Sequence, residues 1–187
     1  MRGVVAVRHA EVDDVASLAK LTDDGSSGHS RGRGDSPADR EQRFEQLLVD
    51  TRRVMLVATE TGGEIVGLVV ATTEEIGALN PVPALTVSTL IVSPGSRRRG
   101  VGRALLAGAV EEADERGIDS LIASVSGTDR DANRYLARLG FAPLVVRRIA
   151  TTSMLRRTLG MSDVVGRVAR RRGRNRPGMT IRALSRH

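Results

Sequence analysis

Arg97, Arg98, Arg99, Gly100, Gly102 and Arg103 fall within the stretch SPGSRRRGVGRALL, residues 93–106. Pro94 ends a β-branched run and "RALL" begins helical spacing, so the glycines lie at the entrance of a helix. The first turn of a helix carries amide donors without intrahelical partners, and its dipole attracts anions. Glycines there carry no Cβ, so several N–H groups can approach one diphosphate, and four arginines add positive charge around it. The chemistry suggested is the grip of a phosphorylated ligand.

Spacing narrows the ligand. A nucleoside-triphosphate loop, G-x-x-x-x-G-K followed by Ser or Thr, finds its glycines at Gly95 and Gly100, but Val101 and Gly102 occupy the places of the Lys and the hydroxyl residue. A dinucleotide fingerprint, G-x-G-x-x-G, needs a small residue at 105 and meets Leu105, with no acidic residue closing the next strand. The pattern that fits is Gln or Arg, two residues, Gly, one residue, then Gly or Ala, filled by Arg97, Gly100 and Gly102 directly after "LIVSP".

This pattern resembles the acetyl-CoA-binding motif of the GNAT acyltransferase superfamily. A second segment, "DANRYLARLGFAP", resembles that family's C-terminal helix and Gly-Phe turn, and the likeness extends from about Val4 to about Arg148. The resemblance implies an α/β fold with a central mixed sheet, flanked by helices, whose fourth and fifth strands are parallel and splay apart around the pantetheine arm of acetyl-CoA. Backbone groups of Leu90 and Val92 would pair with the pantetheine, and amides from Arg98 through Arg99, Gly100, Val101 and Gly102 to Arg103 would hold the pyrophosphate. Asn133 would add a polar contact from the facing helix. Each arginine side chain has two readings, solvated surface or contact with the diphosphate or the adenosine 3′-phosphate.

Transfer to an amine also needs a deprotonated nucleophile, a polarised carbonyl and a proton for the departing thiolate. Many members of the family place a tyrosine four residues before the Gly of Gly-Phe, a position held here by Leu136. Tyr135 is adjacent, but one helical step rotates a side chain by about 100°, which favours a packing role. The strand before the motif is expected to carry Thr86, Ser88 and Leu90 on one face, without the glutamate of some relatives. Glu74, Glu75 or a water held by Thr86 and Ser88 are the alternatives for a base, and the sequence assigns no catalytic residue.

These residues need a scaffold. "GVVAVRHA" reads as a strand and "EVDDVASLAKLT" as a helix. The Gly- and Ser-rich "DDGSSGHSRGRGDSP" reads as a mobile loop, followed by a helix bearing Phe44, Leu47 and Leu48. "RVMLVATE" and "EIVGLVVATTE" flank a Gly turn suited to a hairpin, and "LTVSTLIVS" is a further strand. The helix after the motif is rich in Ala and Gly, which lets it lie close on a sheet. "IDSLIASV", "DRDANRYLARLG" and "FAPLVVRRIATTS" complete the order as strand, helix and last strand, with a parallel pair expected at the sheet's centre.

Composition excludes other classes. The chain has no cysteine, so thiolate catalysis, disulfides and cysteine-ligated metals are ruled out, and His9, His29 and His187 share no ligand spacing, so no metal is expected. Three aromatic residues in 187 argue against base-stacking modules. The opening residues turn acidic before a signal-like apolar stretch develops, and no run is long enough for a membrane helix, so a cytoplasmic protein with no membrane partner is expected.

From Arg147 to His187 twelve arginines face one acid, Asp163, while the rest of the chain has 17 basic and 21 acidic residues. Positive charge is therefore a property of the tail, which could meet nucleic acid or another anionic partner; the single lysine, Lys20, beside 28 arginines equally fits a chain-wide preference for Arg. Ser162 is expected to cap a short tail helix carrying Val164, Val165 and Val168. The expected division is an acetyltransferase domain over 1–150 and an Arg-rich extension over 151–187. The leading function is N-acetyl transfer from acetyl-CoA to an amine of a small molecule or protein. Alternatives are an acetyl-CoA-binding sensor or interaction module and a nucleic-acid- or ribosome-associated protein; a homodimer is left open.

Overall fold

Uninterrupted burial along three apolar runs, at 54–58, 66–71 and 84–87, requires cover on both faces of one sheet. The computed structural model describes residues 5–25, 36–77 and 79–161. Strand β1 (Ala6–His9) leads through a 3-10 turn into α1 (Val15–Gly25), and α2 (Pro37–Leu48) follows. Then come β2 (Arg53–Thr59), β3 (Ile65–Ile76), β4 (Val82–Val92), a 3-10 turn, α3 (Val101–Glu115), β5 (Leu121–Ala123), α4 (Arg130–Arg138) and α5 (Thr152–Thr158). Contacts divide the chain into two units, Met1–Ala142 and Pro143–His187.

The first unit holds a sheet in the order β1-β2-β3-β4-β5, antiparallel except for the parallel β4–β5 pair. Side chains of successive strand residues point to opposite faces, so β2 sends Val54, Leu56 and Ala58 to one core and Met55 and Val57 to the other. The first core packs α3 and Leu136 of α4 against Val69, Ala71, Leu85 and Val87. The second packs Val15, Leu18 and Leu21 of α1 and Phe44 of α2 against Leu68 and Val70. Leu18, Leu68, Leu85 and Leu105 have no exposed surface, and each such side chain contributes about 1.5–3 kcal/mol of burial.

The small residues of α3 do bring it close to the sheet. A Cβ on Gly108 would lie 3.0 Å from Val7 Cγ1 and 3.1 Å from Leu56 Cδ1. Both α3 and α4 end as the chain's glycines require. Gly117 and Gly140 take positive φ, and the next amides, Ile118 N–H and Phe141 N–H, return to the carbonyls of Ala113 and Leu136.

One inserted residue shapes β4. Val70 lies opposite Thr89 and Ala71 opposite Val87, which leaves Ser88 as a bulge whose hydroxyl donates to the Val70 carbonyl at 3.2 Å. A bulge bends and twists its strand. Strand β4 pairs with β5 only at Leu85, Thr86 and Val87, and then continues to Val92 after β5 has stopped at Ala123. The fourth and fifth strands thus part beyond the bulge.

Three expectations need correction. "FAPLVVRRIATTS" forms no strand: residues 141–151 have no regular structure, with Leu144, Val145, Val146 and Ile149 exposed, and α5 begins within the segment, its Thr151 hydroxyl accepting from Met154 N–H at 3.3 Å. Among the described residues the parallel pair therefore lies at the sheet's edge rather than its centre. Strand β4 begins at Val82, ahead of the run "LTVSTLIVS" expected to form it, because its pairing with β3 extends to Ile76. The mobile loop expected over 23–37 lies outside the described residues from 26 to 35, as does the tail helix expected at Ser162.

Candidate active site

The motif of Arg97, Gly100 and Gly102 occupies the path from β4 into α3. Ser93 N–H donates to the Val66 carbonyl at 2.9 Å, and Ser96 N–H donates to the Ser93 carbonyl at 3.0 Å, so the chain leaves the sheet through a fixed turn. Ser96 is buried and donates its hydroxyl to Glu60 Oε1 at 2.9 Å. Arg98 adopts φ +60° and Gly100 φ +92°. The left-handed region costs a non-glycine residue about 1–2 kcal/mol, so at Arg98 it must be imposed by its surroundings.

Gly100 is the N-cap of α3, and its carbonyl accepts the helix's first bond, from Ala104 N–H at 3.0 Å. No side chain caps this end. The amides of Val101, Gly102 and Arg103 therefore precede the hydrogen-bond ladder, and a Cβ at Gly100 would meet nothing within 4 Å. Among the described residues Arg98 and Arg103 form no ion pair. Two arginines are committed to the protein: Arg97 Nε donates to the Val92 carbonyl at 3.3 Å, and the Arg99 guanidinium lies 3.1 Å from Glu60 Oε1. Their side chains brace the loop.

Among the described residues no strand pairs with the edge of β4 that faced β5 beyond the bulge, where the Val92 carbonyl accepts from Arg97 Nε, and Leu90 and Val92 set their side chains against the α3 core. This corrects the sequence reading, which grouped Leu90 with Thr86. The bulge at Ser88 reverses the alternation, so Thr86 points to the face opposite Leu85 and Val87 while Leu90 joins theirs. Thr86 is buried and its Oγ1 has no hydrogen-bond partner among the described residues. Pairing of Thr72 with Thr86 puts Glu74, two residues on, on the Thr86 face, and Glu75 on the other.

Helix α4 closes the first turn of α3. Asp129 caps α4 by accepting from Ala132 N–H at 2.9 Å, and the Asn133 side-chain amide donates to the carbonyls of Ser126 and Asp129 at 2.8 and 2.6 Å. Asn133 therefore shapes the β5–α4 connection with its N–H groups. Tyr135 packs against the core as expected, yet its hydroxyl is buried with no hydrogen-bond partner among the described residues and sits 3.4 Å from where a Cβ on Gly102 would be. Burial pushes its phenol above the ordinary value, opposed by the charge of Arg103, so it is a neutral donor at physiological pH.

The sequence profile of the Acetyltransferase (GNAT) family matches residues 18–141, a span that includes the whole of this loop and both helices around it. The chain belongs to the GNAT acetyltransferase family. No curated protein matches it in sequence. Among solved structures it is similar to a transcriptional regulator from Bacillus halodurans C-125, with 24% identity, coverage of 79% of this chain and 99% of that one, and a TM-score of 0.69. It is also similar to an aminoglycoside N-acetyltransferase AAC(6')-Iy in complex with CoA (16% identity, 80% and 95% coverage, TM-score 0.68). A ribosomal-protein-alanine N-acetyltransferase from Brucella melitensis biovar Abortus 2308 gives 20% identity, 79% and 99% coverage and a TM-score of 0.66. These likenesses establish the GNAT fold.

The residues present fit the CoA such a fold implies. A diphosphate needs clustered N–H donors without a Cβ in the way, and the uncapped amides behind Gly100 supply them; an extended amide-bearing arm needs a strand edge with no strand beside it, and among the described residues β4 supplies one from Ser88 to Val92. Within the GNAT pattern the chain departs at Leu136, which is buried in the α3 core. Glu60 and Ser96 were missed by sequence reasoning: they lie 36 positions apart, and neither belongs to a motif. No group of three or more His, Asp or Glu able to hold a metal occurs among the described residues.

Proposed function

We propose that this chain is an N-acetyltransferase that moves an acetyl group from acetyl-CoA to an amine, of a small molecule or a protein, by direct transfer in a ternary complex. The uncapped first turn of α3, set by Gly100 beside the free edge of β4, carries this reading. The amides of residues 98–103 hold the diphosphate, Arg98 and Arg103 supply charge, and the backbone of Leu90 and Val92 aligns the arm. Bound acetyl-CoA supplies the thioester that the amine attacks.

The amine approaches from the Thr86 face. Glu74, an exposed carboxylate on that face, takes the proton, with Thr86 Oγ1 as a buried acceptor or donor on the path. Tyr135 O–H, a neutral donor without a partner among the described residues, supports the cofactor beside Gly102. The reading takes the enzyme to act in the cytoplasm. Titration calorimetry with CoA and assays of thiol release from acetyl-CoA over a panel of amines test it. Heat of binding together with amine-dependent release is expected, and absence of both overturns the reading.

Leu136, buried where many GNAT enzymes carry a tyrosine, favours a second reading as an acetyl-CoA-binding module without turnover; CoA binding with no thiol release from any acceptor would establish it. The arginines after Arg147 are proposed as a separate anion-binding extension. Deleting residues 149–187 is expected to leave CoA affinity within about twofold while removing salt-dependent RNA binding. Loss of both would overturn that division.

A further inference from the structure

The phosphate loop must keep its amides aligned before a ligand arrives, because donors fixed in advance lose no freedom on binding. Left-handed backbone at Arg98 opposes this, since a non-glycine residue holds such a conformation only where neighbouring structure enforces it. The residues that enforce it lie on both sides of Arg98 and meet at one atom. Ser96 Oγ donates to Glu60 Oε1 at 2.9 Å, and Arg99 lies 3.1 Å from that same oxygen.

Glu60 is well placed to act as a fixed post. It follows β2, and the hairpin turn to β3 is closed by its own backbone: Glu60 N–H donates to the Glu64 carbonyl at 3.0 Å and Gly63 N–H donates to the Glu60 carbonyl at 2.9 Å. Its carboxylate is mostly buried, and Ser96 is 5% exposed. A charged acceptor shared by a buried hydroxyl and a guanidinium makes strong, directional bonds.

We infer that Glu60 is a positioning residue for cofactor binding: its carboxylate ties residues 96 and 99 to the β2–β3 turn, holds Arg98 in the left-handed conformation and keeps the amides of residues 98–103 in their diphosphate-binding arrangement. The inference rests on the acetyl-CoA reading above. It also gives Arg99 a role distinct from phosphate contact, and it explains an acidic residue beside a seat for anions, where charge alone would repel the ligand.

Calorimetry with CoA and steady-state kinetics with acetyl-CoA on Glu60→Ala, Glu60→Gln, Ser96→Ala and the Glu60→Ala/Ser96→Ala double variant test this. Glu60→Ala is expected to weaken CoA binding by about tenfold and raise the KM for acetyl-CoA by a similar factor, with kcat within about twofold. Ser96→Ala is expected to follow the same direction, and the double variant to bind no more weakly than the worse single, because both substitutions break one linkage. Glu60→Gln keeps an oxygen for Ser96 but loses the charge facing Arg99, so an intermediate affinity supports the brace. Circular dichroism confirms folding, and if Glu60→Ala does not fold, Ser96→Ala carries the same prediction. Glu60→Ala or a folded Ser96→Ala that binds CoA as tightly as the parent, or a double variant with additive losses, overturns the inference alone. A parent chain that binds no CoA overturns both this inference and the reading beneath it.

Discussion

The Tyr135 hydroxyl lies 3.4 Å, and Val92 Cγ2 3.7 Å, from the point a Cβ on Gly102 would occupy. Both are ordinary contact distances, and Gly102 has helical backbone. Gly102→Ala should therefore be accepted, gaining about 0.5–1 kcal/mol of helix stability with CoA affinity kept. Gly102→Leu should push Tyr135 aside and weaken CoA binding by about tenfold or more. Thermal melts and calorimetry on the two variants distinguish these outcomes.

Tyr135 is the only tyrosine and the chain has no tryptophan, so phenolate absorbance reports one group. Its raised folded value means that the stability this group contributes is present below the unfolded value, about 10, and is lost as pH rises through the folded one. An absorbance titration should give a midpoint above that of the urea-unfolded chain. An equal or lower midpoint would contradict the buried hydroxyl.

At Gly100 a new side chain would meet nothing within 4 Å, so the cost of substitution lies in the φ of +92° and in what the side chain does to the ligand. Gly100→Glu should lose about 1–2 kcal/mol of stability. It should lose CoA binding altogether, since a carboxylate then stands before the uncapped amides. Gly100→Ala should show the strain with a smaller loss of affinity, which calorimetry separates from the charge effect.

Gly67 is constrained by packing. Its Cβ would lie 2.9 Å from Leu105 Cδ1 and from Val101 Cγ1, and 3.3 Å from the Ile91 carbonyl oxygen. Gly67→Ala should destabilise the chain by about 1–3 kcal/mol, measured by chemical denaturation. Because Val101 opens α3, the same variant should also weaken CoA binding.

Asp14 accepts from Arg8 through both oxygens, at 2.6 and 2.8 Å, and from Glu11 N–H at 2.8 Å. The Arg8 bonds hold its carboxyl below the ordinary range against the opposing effect of burial. Stability from this group is therefore complete above about pH 3.9 and falls as pH drops through the lower folded value. Asp14→Asn should cost about 1–3 kcal/mol near neutrality and flatten the acid limb of a stability-against-pH profile.

Most of the scaffold was legible because its signals are local. Strand β2 was read to within a residue, and the Gly turn after it does join β2 to β3. The turn at 93–96 and the start of α3 were legible for the same reason, since their residues are contiguous. What escaped depends on contacts between distant segments. The Ser88 bulge appears only when β4 is laid against β3, so the face of Leu90 was misassigned. Glu60 is invisible until the hairpin turn meets Ser96. "FAPLVVRRIATTS" has β-branched propensity, but propensity alone does not create a pairing partner.

The extra residue in β4 has a consequence for how this protein could change its chemistry. Ahead of Ser88 the strand offers Thr86 to one side of the sheet, and after it the strand offers Leu90 and Val92 to the other, with no strand paired beside it among the described residues. On the acetyl-CoA reading proposed above, donor and acceptor recognition fall on consecutive halves of one strand, divided by a single residue, so substitutions at 82–87 are expected to retune the choice of amine while the handle for the shared currency of acyl transfer stays intact.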